Sequence, residues 1–142
     1  MPTRGKDPDY LVDTSVAVAL MLADHPGHKT VFDALGGRRL GLSGHAAFET
    51  YSVLTRLPAP ARRTAAAASR LIQVNFPQSR FLSADAAGEL LATLAGAGIA
   101  GGSAYDALVG YAAKVHGFVL ATRDERARDT YRGLDLEFEF FA

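Results

Sequence analysis

Four acidic residues could carry chemistry: Asp13 in the apolar stretch YLVDTSVAVAL, Glu49 in GHAAFETYSVL, Asp106 in SAYDALVGYAAKV and Asp124 in ATRDERARD. A carboxylate in apolar company is costly unless it is paired, hydrogen-bonded or holding a cation. Each acid alone has a plain structural use. Asp13 follows an apolar strand and precedes an apolar helix, so it is a natural N-cap, a role that Thr14 or Ser15 would fill equally well. Asp106 completes a capping box with Ser103, and Asp124 is a first-turn acid of a short helix. Glu49 shares a helical stripe with His45, Ser52 and Arg56, which faces either solvent or a polar cleft. Taken together they suggest a different chemistry. Carboxylates gathered in one place repel and raise one another's pKa, and they stay ionised together around a hard divalent cation. Oxygen-only donors favour Mg²⁺ or Mn²⁺, and such a centre activates water and neutralises charge in phosphodiester cleavage.

The acids can converge only if the fold brings them together. Apolar periodicity and breakers predict a strand at Tyr10–Val12, a helix at Thr14–Met21 and a break at His25-Pro26-Gly27. A helix over Lys29–Leu35 then ends at Gly36-Gly37, and a short strand covers Arg39–Leu42. Ser43 is expected to cap a helix reaching Leu57, where Pro58 and Pro60 stop it. Further helices are predicted over Ala61–Val74, over Ser83–Ala95 with Ser83 as its cap, and over Ala104–His116. Arg80–Leu82 and Phe118–Ala121 are candidate strands, Asp124–Tyr131 a short helix, and Leu134–Phe140 an edge strand. Strands alternating with helices argue for a single α/β domain, a three-layer sandwich with a central, mostly parallel sheet flanked by helices. Residues 1–8 are expected to form a flexible leader and 9–142 the domain. Sites in such sheets lie beyond the carboxyl ends of the strands. Asp13 and Asp124 both fall just past a strand.

Composition narrows the partners. With 15 basic and 15 acidic side chains the formal net charge is zero, so any polyanion must be met by a local patch. Arg56, Arg62, Arg63, Arg70, Arg123, Arg126, Arg128 and Arg132 are candidates for the rim of such a patch. There is no cysteine, hence no thiolate zinc site, and the absence of a disulfide framework fits a cytoplasmic setting. No apolar run approaches the roughly 20 residues of a membrane span, and the acids before Tyr10 argue against a signal peptide. GAGIAG, Gly96–Gly101, matches the dinucleotide fingerprint by letter, yet it follows a helical segment instead of a strand, so it reads as a loop. The histidines His25, His28, His45 and His116 lack metal-ligand spacing. The remaining lysines and acids do not suit a phosphoacceptor receiver, and Ser15 stands where a haloacid-dehalogenase-type phosphatase needs its second Asp.

YLVDTSV, FETYSVL, YDALVGYAA and FVLATRDER, in that order, resemble the PIN-domain ribonucleases, in particular the VapC-type toxins of bacterial toxin–antitoxin pairs. The resemblance spans about Asp9 to Leu134. It implies Asp13, Glu49, Asp106 and Asp124 as catalytic acids and metal ligands, Asp13 and Asp106 foremost. It also implies Mg²⁺ or Mn²⁺ as cofactor, with Thr14, Ser15 and Thr122 supporting the ligands, Thr122 by orienting the Asp124 carboxylate. Cleavage of single-stranded or loop RNA to 5′-phosphate and 3′-hydroxyl ends is the implied activity. An antitoxin helix in an apolar groove and a toxin homodimer are the implied partnerships; Val16, Leu20, Phe32, Tyr51 and Leu54 are groove candidates that core packing explains equally well. The rival reading is a PIN-like binding module that acts through its RNA or protein surfaces without cleavage. The tail DLEFEFFA lies outside these motifs.

Overall fold

A computed structural model describes residues 7–142 of the chain. Four short strands form one parallel sheet: β1 (Tyr10–Val12), β2 (Leu40–Leu42), β3 (Leu120–Thr122) and β4 (Phe138–Phe140), in the order β2-β1-β3-β4. The helices are α1 (Thr14–Met21), α2 (His28–Leu35), α3 (Ala46–Thr55), α4 (Ala65–Asn75), α5 (Ala84–Thr93), α6 (Ser103–His116) and α7 (Arg128–Gly133), with a 3₁₀ turn at Glu125–Ala127. The result is the expected α/β sandwich. The inner strand β1 is apolar throughout because it is covered on both faces, and Leu11 and Val12 are fully buried. Helix α1 packs on α2 and α3, while α6 packs on α5 and α7.

Register does the positioning. Val12 lies opposite Leu42 on one side and Ala121 on the other. The residues that follow, Asp13, Ser43 and Thr122, therefore form one row at the carboxyl edge. The Asp13 N–H donates to the Ala121 carbonyl at 3.2 Å, and the Ser43 N–H donates to the Val12 carbonyl at 3.0 Å.

Several boundaries differ from the expectation. Ser43 does not cap α3. Its hydroxyl is buried and donates across to the Val109 carbonyl, and the helix starts only at Ala46, without a side-chain cap. The next helix opens at Ala65, not Ala61, because Thr64 supplies the cap by accepting from the Ala67 N–H. Ser83 caps α5 as expected. The Ser103–Asp106 capping box is absent: Ser103 is already helical, and the residue before it, Gly102, carries no cap bond. Arg80–Leu82 yields only a bridge from Arg80 to Ser43. The segment before it lies along the outer side of β2, with the Gln78 N–H on the Leu40 carbonyl and the Arg80 N–H on the Leu42 carbonyl. Ser79 Oγ, not a carbonyl, accepts from the Leu42 N–H, which interrupts the ladder yet still shields that edge. Gly41 permits the close approach, since a Cβ there would lie 2.0 Å from the Gln78 carbonyl oxygen.

The tail forms the opposite edge as β4, parallel to β3. Glu139 accepts from the Tyr10 hydroxyl at 2.7 Å, and Arg128 lies over the Phe140 ring at 4.3 Å. Gly96–Gly102 forms the turn between α5 and α6. Of the expected leader, Met1–Lys6 lies outside the described residues, while Asp7 offers its carbonyl to Arg39 Nε and Pro8 is buried.

Candidate active site

The carboxyl edge of the sheet opens into a cavity of about 600 Å³ whose wall includes Asp13, Glu49, Asp106 and Asp124. These acids come from four separate places: the end of β1, the first turn of α3, the first turn of α6, and the turn after β3.

Asp13 is 5% exposed and serves both of its candidate uses. It caps α1, with Oδ1 accepting from the Val16 N–H at 3.2 Å and from Ser15 Oγ at 2.5 Å. Its Oδ2 accepts from Thr122 Oγ1 at 2.5 Å and from the Tyr131 hydroxyl at 3.0 Å. An ionised carboxylate offers about four acceptor positions, so these donors occupy the group fully. Burial pushes the Asp13 pKa upward, and the four donors pull against that rise. The directions of two hydroxyls are fixed from behind. Ser15 Oγ accepts from the Arg123 N–H at 2.8 Å, and Thr122 Oγ1 accepts from the Asp124 N–H at 3.0 Å. Thr122 therefore orients Asp13. It reaches Asp124 only through the backbone, which corrects the expectation that it holds the Asp124 carboxylate.

Asp124 caps the 3₁₀ turn, with Oδ1 accepting from the Arg126 and Ala127 N–H groups and Oδ2 paired with the Arg126 guanidinium at 3.2 Å. Glu49 accepts from Thr14 Oγ1 at 3.2 Å. Asp106 is held differently. Burial raises its pKa, Arg126 opposes the rise, and Asp124, Glu49 and Asp13 add to it through their charge. No hydrogen bond figures among these causes.

The polar stripe of α3 faces a cleft, not bulk solvent, as His45, Glu49, Ser52 and Arg56 all line the cavity. Phe48 lines it too and is largely exposed, with its ring against Phe81, and His45 stacks on Tyr105. Of the proposed arginine rim, Arg56 and Arg126 reach the cavity wall. Arg62 instead donates to the Leu57 carbonyl, Arg63 to the Ala61 carbonyl, and Arg132 pairs with Asp129. His25 and His28 brace the turn after α1, where His25 Nδ1 accepts from the Gly27 N–H and His28 Nδ1 lies 2.9 Å from the Ala19 carbonyl. Two groove candidates, Val16 and Leu54, are fully buried core residues and cannot line a docking groove, whereas Phe32 and Tyr51 are exposed.

Tyr131 was not singled out by its sequence. It reads as one more apolar residue of a short helix, and only the fold carries its hydroxyl to Asp13.

The donor set suits a hard cation: four carboxylates with supporting hydroxyls, and no sulfur. Arg126 lies on the cavity wall, paired with Asp124 and near enough to Asp106 to oppose the rise in its pKa. Among the described residues, no three Asp, Glu or His side chains are gathered closely enough to hold a metal as they stand. A bound cation would therefore have to draw the freer acids toward Asp13.

Comparison with known proteins agrees with this architecture. The PIN domain family model matches residues 10–133. Ribonuclease VapC27 of Mycobacterium tuberculosis (strain ATCC 25618 / H37Rv) is 46% identical over 124 residues, covering 87% of this chain and 90% of the relative. Ribonuclease VapC40 of Mycobacterium tuberculosis (strain CDC 1551 / Oshkosh) is 46% identical over 129 residues, covering 89% of this chain and 95% of the relative. Among solved structures, VapBC2 from Rickettsia felis, bound to a DNA fragment from its promoter, superposes with a TM-score of 0.65 at 15% identity, covering 94% of this chain and 98% of that one. That likeness is one of fold. With a family model spanning most of the chain and two relatives near half identity, the chain belongs to the PIN domain family, among its VapC-type members.

Proposed function

We propose that the chain is a Mg²⁺- or Mn²⁺-dependent endoribonuclease that hydrolyses RNA phosphodiester bonds, and that it acts as the toxin of a pair held in check by a cognate antitoxin. The observation that carries this reading is the meeting of Asp13, Glu49, Asp106 and Asp124 in one cavity at the carboxyl edge of the sheet. The names of the relatives support the ribonuclease assignment.

Asp13 and Asp106 are the principal ligands in this proposal, with Glu49 and Asp124 completing the set. A divalent cation, when bound, makes water a stronger nucleophile at neutral pH and offsets charge on the phosphoryl oxygens. The chain's own residues supply the rest. Ser15, Thr122 and the Val16 N–H hold the Asp13 carboxylate in one orientation. Thr14 steadies Glu49. Arg56 and Arg126, on the cavity wall, are placed to meet phosphates of the strand. With no net charge on the chain, RNA is held by this local chemistry and not by a general basic coat.

Partner assembly follows the same reading. Phe32 and Tyr51 are exposed apolar rings suited to an antitoxin helix, and a homodimer is the expected resting assembly. Among the described residues, no helix is long and apolar enough to cross a membrane, in keeping with a cytoplasmic site of action. Two observations favour the rival binding module: Asp13 is saturated by protein donors, and among the described residues the acids line one cavity without closing on a common point.

The deciding experiment incubates the purified chain, free of partners, with total cellular RNA and Mg²⁺ or Mn²⁺, beside samples containing EDTA or the Asp13→Asn variant. Discrete cuts that vanish in both controls are expected. A folded protein that leaves varied RNAs intact supports the binding module, and cuts that persist in EDTA reduce the acids to caps.

A further inference from the structure

The geometry points to Tyr131 as a positioning residue for Asp13: its hydroxyl fixes the plane in which that carboxylate meets a divalent cation. This inference rests on the metal-dependent reading above.

Tyr131 is 1% exposed, yet it forms part of the cavity wall, and its hydroxyl sits 3.0 Å from Asp13 Oδ2, across 118 residues of chain. The ring does not depend on Asp13 for its place. It lies 5.8 Å from the Phe138 ring, centroid to centroid. It also occupies room left by Gly110 on α6, where a Cβ would come within 2.9 Å of its Cδ1. Apolar packing thus sets the hydroxyl against the carboxylate. The phenol hydroxyl donates to the carboxylate.

Of the four donors on Asp13, only Ser15 and Tyr131 share the cavity wall with it. Ser15 fixes Oδ1 from α1, and Tyr131 fixes Oδ2 from α7. Thr122 also holds Oδ2, from β3, so Tyr131 is the second of two donors on that oxygen and the one of the two on the cavity wall. Removing an outer partner of a metal ligand typically weakens metal binding or activity by about 10–100-fold.

The test is a Mn²⁺ titration of the full chain, followed by electron paramagnetic resonance, with no RNA present. Wild type, Tyr131→Phe, Ser15→Ala and Asp13→Asn are compared, each checked for folding by thermal melt. Phenylalanine fills the same seat, so Tyr131→Phe should remain folded and bind Mn²⁺ about tenfold more weakly. Ser15→Ala should weaken binding in the same sense, and Asp13→Asn should abolish it. Binding by Tyr131→Phe as tight as wild type, or tighter, overturns the inference while leaving the metal reading intact. Tighter binding would make the hydroxyl a competitor for the cation's place. Equal binding by wild type and Asp13→Asn overturns the metal reading, and the positioning role with it.

Discussion

Asp13 and Asp106 face the same cavity, and burial pushes the pKa of both upward. The protein treats them in opposite ways. Asp13 is almost sealed and takes donors from α1, β3 and α7. Asp106 is about half-buried and is answered only by charges, Arg126 in its favour and three acids against it. One carboxylate is placed by the fold; on the metal-dependent reading proposed above, a cation would place the other. A centre built this way combines a rigid reference point with an adaptable arm. It accounts for acids that surround a cavity without already forming a closed ligand set.

The contrast is sharpest if each acid is neutralised in turn. Asp13→Asn and Asp106→Asn should each lower single-turnover RNA cleavage by more than about a hundredfold, since each removes a ligand and not merely its support. Their effects on the metal-free fold should differ in sign. Asp13→Asn sets an amide donor against hydroxyl donors and should cost about 1–3 kcal/mol in urea unfolding. Asp106→Asn removes a charge that burial and three acids disfavour, so stability should hold or rise, by less than about 1 kcal/mol once solvent screening is counted. A large loss of stability in Asp106→Asn would erase the distinction.

Divalent cation should supply what Asp106 lacks. At a hundred times its dissociation constant, Mg²⁺ or Mn²⁺ should stabilise the wild type by about 2.7 kcal/mol through mass action, and EDTA should reverse the gain in a melting experiment. The gain should largely disappear in Asp106→Asn. Gly110→Ala tests the fixed half by displacing Tyr131. Overpacking of about 1–3 kcal/mol should outweigh the roughly 0.5–1 kcal/mol that alanine contributes to a helix, lowering the urea midpoint. The smallest effect is expected from Arg126→Ala. Removing the cation beside Asp106 and Asp124 should tighten Mn²⁺ binding a few-fold at most, because the ion pair is exposed.

Much of this arrangement was legible in the chain itself. Tyr10–Val12 and Thr14–Met21 have the bounds that their apolar runs imply; the His45–Glu49–Ser52–Arg56 stripe reads as polar, but only the fold decides that it faces a cleft and not solvent. The misses share a physical cause. Ser43 looks like a cap because serine before an apolar run usually is one, but its hydroxyl is claimed by Val109, 66 residues away. Arg80–Leu82 has strand composition, yet Ser79 interrupts the ladder through a side chain. Val16 and Leu54 could as well line a groove as a core, and only packing decides between them. Tyr131 is the extreme case, since nothing local distinguishes a core tyrosine from one whose hydroxyl meets an acid across the sheet. Local chemistry reads well from sequence; partners supplied by distant segments do not.

The sheet order also has a bearing on the chain's birth. Of the four strands, β1 leaves the ribosome first, and as an inner strand it must wait for β3 at Leu120–Thr122 before its second side is covered. Thr122 and Tyr131 meet Asp13 across 109 and 118 residues, so neither contact exists while translation is in its earlier stages. Folding dominated by such distant pairings is slow to complete. On the ribonuclease reading proposed above, the nascent chain lacks the full set of Asp13 donors until Tyr131 has been made and has emerged.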